Sequence, residues 1–135
     1  MQVFRSVFHG QVSSKKNSKT IGINRKTGKP FVRMNDRAKE QEYELIRKFS
    51  DDFVDQGFFE PMNGAVEVIV EIWDKDLRAY DLDNQISTVL DALVKAQVLE
   101  DDNQKYVSQI KGYYRGVDKE DPRMVLTIYQ LSIEK

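Results

Sequence analysis

The spacing of apolar residues along this chain changes several times, and each spacing predicts an element of secondary structure. Residues 2–12 are patterned as a strand, and a second strand is predicted over 65–73, where β-branched residues recur in "AVEVIVEIW". Two more strands are predicted at "YVSQIKGYYRGV" and "MVLTIYQLSIE", on either side of a loop at "DKEDP". We expect these strands to contribute to one mixed sheet.

Apolar residues three and four positions apart predict two helices. The first begins at Asn35 or Asp36 and ends near residue 56, and the second runs from about 83 to 96. Between the first strand and the first helix, "NRKTGK" separates two short apolar pairs, which predicts a hairpin. The order strand, hairpin, helix, strand, helix, strand, strand predicts an α+β fold: one small domain with two main helices packed on the sheet.

Composition narrows the possible chemistry. The chain has 135 residues, 40% of them hydrophobic and 32% charged, which is typical of one globular domain. It contains no cysteine and one histidine, so disulfide frameworks, thiolate sites and histidine-rich zinc sites are excluded. No apolar run approaches the ~20 residues of a membrane span, and the N-terminus lacks a signal-peptide pattern. We therefore expect an intracellular protein.

The net charge of −1 hides a strong asymmetry. Residues 1–50 contain 12 Lys and Arg against 4 Asp and Glu, whereas residues 51–135 contain 9 against 18. Residues 1–33 contain eight basic residues and no acidic one. Two oppositely charged lobes can simply attract each other or face water, but the split also suggests two surfaces with different ligands.

The acidic charge is densest around the second predicted helix. The stretch "YDLDNQISTVLDALVKAQVLEDDNQ" holds five aspartates and one glutamate against one lysine. Asp81 and Asp83 stand at the start of the helix, and the short turn after it carries Asp101 and Asp102. If the next strand runs back beside the helix, these carboxylates converge, and a divalent cation would relieve their repulsion. Oxygen ligands alone favour Mg²⁺, with Mn²⁺ as the alternative.

Plainer interpretations of these residues stay open. Asp81 or Asp83 can serve only as a helix cap, for which aspartate is a preferred residue. Asp91 shares a helix face with polar neighbours and fits a solvated surface, and Asp101 and Asp102 fit a turn. A calcium-binding EF-hand loop is excluded, because glutamine and isoleucine occupy the positions of its third ligand and its glycine.

The same stretch resembles the signature of the RusA-type Holliday-junction resolvases, which are common in bacteriophages and prophages. That signature is Asp-Leu-Asp-Asn, then a helix with Leu-Asp-Ala-Leu, then an Asp-Asp pair, and all three occur here in order. The early "SSKKNSK" and "GKPF" are similar to the basic segment of phage members. The resemblance implies a Mg²⁺-dependent endonuclease that resolves four-way DNA junctions as a homodimer, in recombination and repair. It implies a bacterial cytoplasm and no small-molecule cofactor.

The resemblance assigns metal binding and catalysis to Asp81, Asp83 and Asp102, in one cleft of the chain or across the dimer. It matches Asp91 to the helical motif. Many members carry a lysine four residues after the second aspartate, where this chain has Ser87. Either another cation then assists the phosphate, or catalysis depends on metal alone and is weaker. We expect the first, with Lys111, on the strand after the acidic turn, in this catalytic role. Lys15 and Lys16 are the other candidates.

The basic segment at about 13–33 is expected to bind the DNA backbone. We predict contacts from Lys15, Lys16, Asn17 and Lys19, and a poorly ordered segment in the absence of DNA.

Two other functions remain alternatives. The serine at position 87 would suit a catalytically silent protein that binds branched DNA. A Mg²⁺-dependent phosphohydrolase of small substrates would use the acidic residues but leave the basic segment without a role.

Overall fold

The computed structural model describes residues 2–13, 19–34, 36–78 and 80–131. Six strands and two helices follow one another in these residues, and their order is the predicted one. The elements are β1 (Val3–His9), β2 (Lys19–Ile23), β3 (Pro30–Met34), α1 (Asp36–Asp55), β4 (Val66–Asp74), α2 (Leu82–Lys95), β5 (Val107–Val117) and β6 (Arg123–Gln130). The α+β class is confirmed, as are both helices to within about two residues.

A mixed four-stranded sheet forms the centre of the fold, with the strand order β1-β6-β4-β5. The last two strands are consecutive in the chain, yet they are not neighbours in the sheet. β6 lies between β1 and β4 and is antiparallel to both, whereas β5 lies on the far side of β4 and is parallel to it. Strands β2 and β3 form a separate two-stranded sheet with Ile21 opposite Val32, so the predicted hairpin is confirmed.

Both helices pack on the same face of this sheet. Side chains of β4 alternate along the strand, and those of Val66, Val68, Val70 and Ile72 are fully buried beneath the helices. α1 covers β1, and α2 lies beside β5 and contacts α1. None of the helices in the described part of the chain is long and apolar enough to cross a membrane.

The opposite face of the sheet carries no helix among the described residues, and charged side chains cover its aromatic ones. The guanidinium group of Arg123 lies 4.0 Å from the ring centre of Trp73, and that of Arg115 lies 4.4 Å from the ring centre of Tyr113. Arg115 also pairs with Glu71 at 2.9 Å. We call this surface the open face.

Three phenylalanine rings join α1 to the sheet. Phe53 of α1 meets Phe4 of β1 edge to face, with 5.2 Å between ring centres, and stacks on Phe58 at 4.5 Å. Phe4 and Phe58 also meet edge to face at 6.0 Å. Such aromatic pairs add stability beyond the area that they bury.

Replacing Phe53 by alanine should lower the free energy of unfolding by about 3–5 kcal/mol, because a buried ring is lost from a close-packed cluster. The matched control is Val54→Ala, one position along, where the side chain is 62% exposed and the expected change is within about 0.5 kcal/mol. Urea unfolding followed by circular dichroism measures both. Equal losses in the two variants would contradict close packing at Phe53.

Candidate metal and nucleic-acid site

Asp81 begins the acidic helix but does not use its side chain to cap it. Its backbone is extended, with φ −90° and ψ 112°, and its carbonyl oxygen accepts the backbone N–H of Gln85 at 3.0 Å. No hydrogen bond links its carboxylate to the N–H groups of the first turn. The carboxylate instead accepts a hydrogen bond from the amide Nδ2 of Asn84 at 3.1 Å. The capping interpretation therefore does not account for Asp81.

Asp83 lies in the first turn of α2 and is exposed. The positive end of the helix macrodipole lies at this turn and favours negative charge there. Ser87 follows one turn later and is also exposed, so the two residues share a solvent-facing stripe of the helix. A lysine at position 87 would stand directly beside Asp83, and its absence leaves this stripe without a cation of its own.

A buried polar network fixes the start of α2 against the sheet. The carboxylate of Asp74, at the end of β4, is 4% exposed, and its Oδ1 accepts hydrogen bonds from Gln11 Nε2 at 2.7 Å and Gln85 Nε2 at 2.9 Å. Both amides also donate to the backbone oxygen of Val12 at 3.0 Å. The oxygen of the Gln11 side chain accepts the backbone N–H of Lys75 at 2.7 Å. The acidic helix start, β4 and the chain after β1 are thereby held together.

Asp102 lies beyond the other end of α2. Its backbone N–H donates to Asp101 Oδ1 at 2.7 Å. Partial desolvation of its carboxyl group is the largest cause that raises the pKa of Asp102, followed by a hydrogen bond with Asp101 and the negative charges of Asp101 and Asp91. The turn therefore gathers acidic groups that repel one another, as the sequence indicated.

Within one chain these acidic residues do not come together as expected. Asp81 precedes α2 and Asp102 follows it, and a 14-residue helix is about 21 Å long. β5 starts only at Val107, so it does not carry Asp102 back along the helix. The described residues contain no group of three or more acidic or histidine side chains that could hold a metal ion. The convergence of all three carboxylates in a single chain is thus not found.

Lys111 lies on the open face of the sheet, away from α2. Its neighbour Gly112 faces the helix, because a Cβ atom at Gly112 would lie 2.2 Å from Ile86 Cδ1, and adjacent strand residues point to opposite faces. Lys111 Nζ pairs with Glu67 Oε2 at 3.2 Å. The strand does lie beside α2 as expected, but the alternation of its side chains directs Lys111 elsewhere. This placement argues against the assisting role that the sequence suggested for it.

Arg78 is a cation that the sequence reasoning did not select. It lies three residues before Asp81, its side chain is 71% exposed, and its Nη2 is 3.7 Å from Asp76 Oδ2. The backbone N–H of Arg78 donates to Asp76 and lowers the pKa of that carboxyl group. The pKa of Tyr80 is raised, first by partial burial of its hydroxyl group and second by the hydrogen bond that this hydroxyl donates to Asp76. The position of Arg78 close in sequence to the acidic motif could have identified it.

The basic segment is described in part. Lys15, Lys16 and Asn17 lie outside the described residues, and Lys19 is the first residue of β2.

The tip of the β2–β3 hairpin adds basic residues that were not singled out from the sequence. Arg25, Lys26 and Lys29 are exposed there, in a turn where Asn24 Oδ1 accepts the backbone N–H groups of Lys26 and Thr27. The turn thus presents three cations at one end of a hairpin. The acid-free run over residues 1–33 was the signal for them.

Comparison with protein-family models and with curated proteins finds no match to this chain. The resemblance to the RusA-type resolvases therefore depends only on the acidic motif and the basic segment quoted from the sequence.

The raised pKa of Asp102 predicts a pH dependence of stability. The carboxyl group of Asp102 holds its proton more tightly in the folded chain than in the unfolded chain. Its contribution to stability is therefore fully present below the unfolded pKa and is lost as pH rises through the folded pKa. Asp102→Asn should therefore gain stability relative to the unchanged chain as pH rises from about 3 to 7. Urea unfolding at several pH values measures this difference, and carboxyl NMR titration measures the pKa.

The control variant is Asp101→Asn, which removes the neighbouring charge and should lower the pKa of Asp102 toward its ordinary value. An unchanged pKa of Asp102 in this variant would show that Asp101 does not contribute to the shift.

Proposed function

We propose that this chain is a Mg²⁺-dependent, structure-selective DNA endonuclease of the RusA type, which nicks four-way junctions as a homodimer. The observation that carries the proposal is the state of Asp81. Its carboxylate is not used to cap α2 and is oriented by Asn84, beside the exposed Asp83. Two carboxylates are thus presented at the positive end of a helix. The cytoplasm of a bacterial cell is the place of action that goes with this proposal.

The donor set fits Mg²⁺. This ion usually binds one or two protein carboxylates and keeps several waters, leaving positions for substrate phosphates. Asp81 and Asp83 supply that number without a third residue, so the separation of Asp102 within one chain does not oppose the proposal. In a homodimer, Asp102 of the partner subunit is a candidate for a further ligand.

The chain's own residues would position these groups. Asn84 holds the carboxylate of Asp81 by a hydrogen bond, and the buried contact of Gln85 with Asp74 keeps the first turn of α2 fixed on the sheet. A bound Mg²⁺ would polarise the scissile phosphate as a Lewis acid. Arg78, exposed just ahead of the helix, is the cation best placed in sequence to meet the phosphate.

The basic residues supply the second requirement, a surface for the DNA backbone. The exposed cations of the β2–β3 hairpin tip and the lysines of residues 15–19 all belong to the acid-free part of the chain. Contacts from such residues to phosphates position DNA without reading its sequence, which suits an enzyme that recognises a junction by its shape.

A catalytically silent branched-DNA-binding protein is the second candidate. The specific observation in its favour is Ser87, which leaves the stripe beside Asp83 without the lysine seen in many members of the family that the motif resembles. This candidate shares the DNA surface and differs in activity, so one nicking assay separates the two.

Asp83→Asn should abolish nicking of a synthetic four-way junction in the presence of Mg²⁺, while junction affinity is kept or slightly increased. The substitution removes a ligand charge without adding bulk. A gel-based nicking assay with and without Mg²⁺, paired with fluorescence anisotropy, measures both properties.

The matched control is Asp55→Asn, which removes an exposed aspartate at the end of α1 and should nick normally. Nicking by Asp83→Asn at the normal rate would contradict the assignment of Asp83 as a metal ligand. Binding without nicking by the unchanged chain would establish the silent protein instead.

Replacing Lys15, Lys16 and Lys19 together by alanine should weaken junction binding across sequences. It should also reduce the slope of log affinity against log salt by roughly one unit for each lost phosphate contact. Anisotropy titrations at several salt concentrations give the slope.

A second triple variant replaces Arg25, Lys26 and Lys29 by alanine. It measures how many of the phosphate contacts come from the hairpin tip. An unchanged slope in both triple variants would move the phosphate contacts to another surface.

A further inference from the structure

β5 forms one edge of the four-stranded sheet, and among the described residues it pairs with β4 alone. It is 11 residues long, and residues 108–115 are all exposed. Most strands are about five or six residues long, so this edge is extended. Its outer side presents a row of backbone N–H and C=O groups that can pair with another strand.

The charged residues of β5 do not protect this edge. A lysine or arginine on an edge strand normally opposes pairing with another chain. Here, however, Lys111 pairs with Glu67 at 3.2 Å and Arg115 pairs with Glu71 at 2.9 Å, and both acidic partners belong to β4. The two cations are therefore drawn inward across the open face. Between the register shifts near its two ends, over residues 109–114, β5 is regular, and there its outer edge keeps its backbone groups accessible.

Exposed apolar side chains are concentrated in the middle of β5. Ile110 is 47% exposed and Tyr114 is 52% exposed, and both lie on the helix side of the sheet. They flank Gly112 symmetrically, two residues to either side. The space above Gly112 is filled by Ile86 of α2, so no side chain of β5 stands between them. On the open face, Tyr113 is 39% exposed.

We propose that β5 pairs antiparallel with β5 of a second copy of this chain, about a two-fold axis at Gly112. In this register Ile110 packs beside the partner's Tyr114, and the symmetry makes the contact twice. On the open face, Lys111 lies opposite the partner's Tyr113.

The strand thus complements itself, which favours a second copy over an unrelated peptide, because directly opposite side chains are the units of sheet stabilisation. The pairing gives a surface to the homodimer of the proposed function, but it depends on the strand edge and not on catalysis.

The first test is the mass in solution, measured by light scattering after gel filtration. The unchanged chain should have twice the 15.7 kDa of one chain. Tyr114→Asp should shift the mass to that of the monomer at the same concentration, because it sets a charge against the partner's Ile110. The matched control is Tyr43→Asp, at a 74% exposed tyrosine of α1, which should remain a dimer.

The second test uses the absence of cysteine in the chain, so that an engineered cysteine is unique. Lys111→Cys and Tyr113→Cys are prepared as separate proteins and mixed under mild oxidation. The proposed register places these two positions directly opposite, close to the Cβ separation of a disulfide. The mixture should form a cross-linked dimer several times faster than a mixture of Lys111→Cys with Gln109→Cys, which pairs positions that are out of register.

A monomeric mass for the unchanged chain would overturn the proposal. So would a dimer that survives Tyr114→Asp, or one that cross-links equally in both mixtures, because either result would place the interface elsewhere. Circular dichroism of Tyr114→Asp checks that the monomer is folded, and the cross-linking result stands if it is not. Loss of junction nicking in any variant has no bearing on these outcomes.

Discussion

The position of the acidic helix depends on one buried carboxylate, that of Asp74. A carboxylate is stable in an interior only when hydrogen bonds replace the water that it has lost. Here the replacements come from two glutamines in separate parts of the chain, Gln11 after β1 and Gln85 in the first turn of α2. Removing one partner of such a bond costs about 1–3 kcal/mol. This one interaction thus fixes the end of β4, the start of α2 and the segment after β1 that leads to the basic residues.

The acidic and basic residues that are separated along the sequence also lie in separate regions of the folded chain. The acids of α2 separate into two groups, one at the start of the helix around Asp81 and one beyond its end around Asp102. The described cations of residues 19–34 stand on a hairpin that forms a sheet of its own. The proposed nuclease would need both kinds of surface in one molecule, and neither kind follows from the net charge of −1.

The elements themselves followed from local patterns. The alternation in β4 and the helical stripe of α2 are strong periodic signals, because each element buries one face against a common core. The position of β6 between β1 and β4 is set by contacts distant in sequence, which no local pattern reports. The face on which Lys111 lies depends on strand register, and a shift of one residue reverses it. The length of α2 was predicted from the sequence, but the path of the chain between α2 and β5, which leaves Asp102 beyond the end of the helix, was not.

The central place of β6 has a consequence for how the chain folds. β1 has β6 as its strand neighbour in the sheet, and paired residues such as His9 and Arg123 are more than a hundred positions apart. A ribosome must therefore release the last strand before the first one can join the sheet. Until then the apolar side of β1 has no strand beside it, and the nascent chain depends on α1 to shield it. Sheets closed by such distant pairings form slowly compared with local ones, so the core around β1 is completed only after β6 has been synthesised.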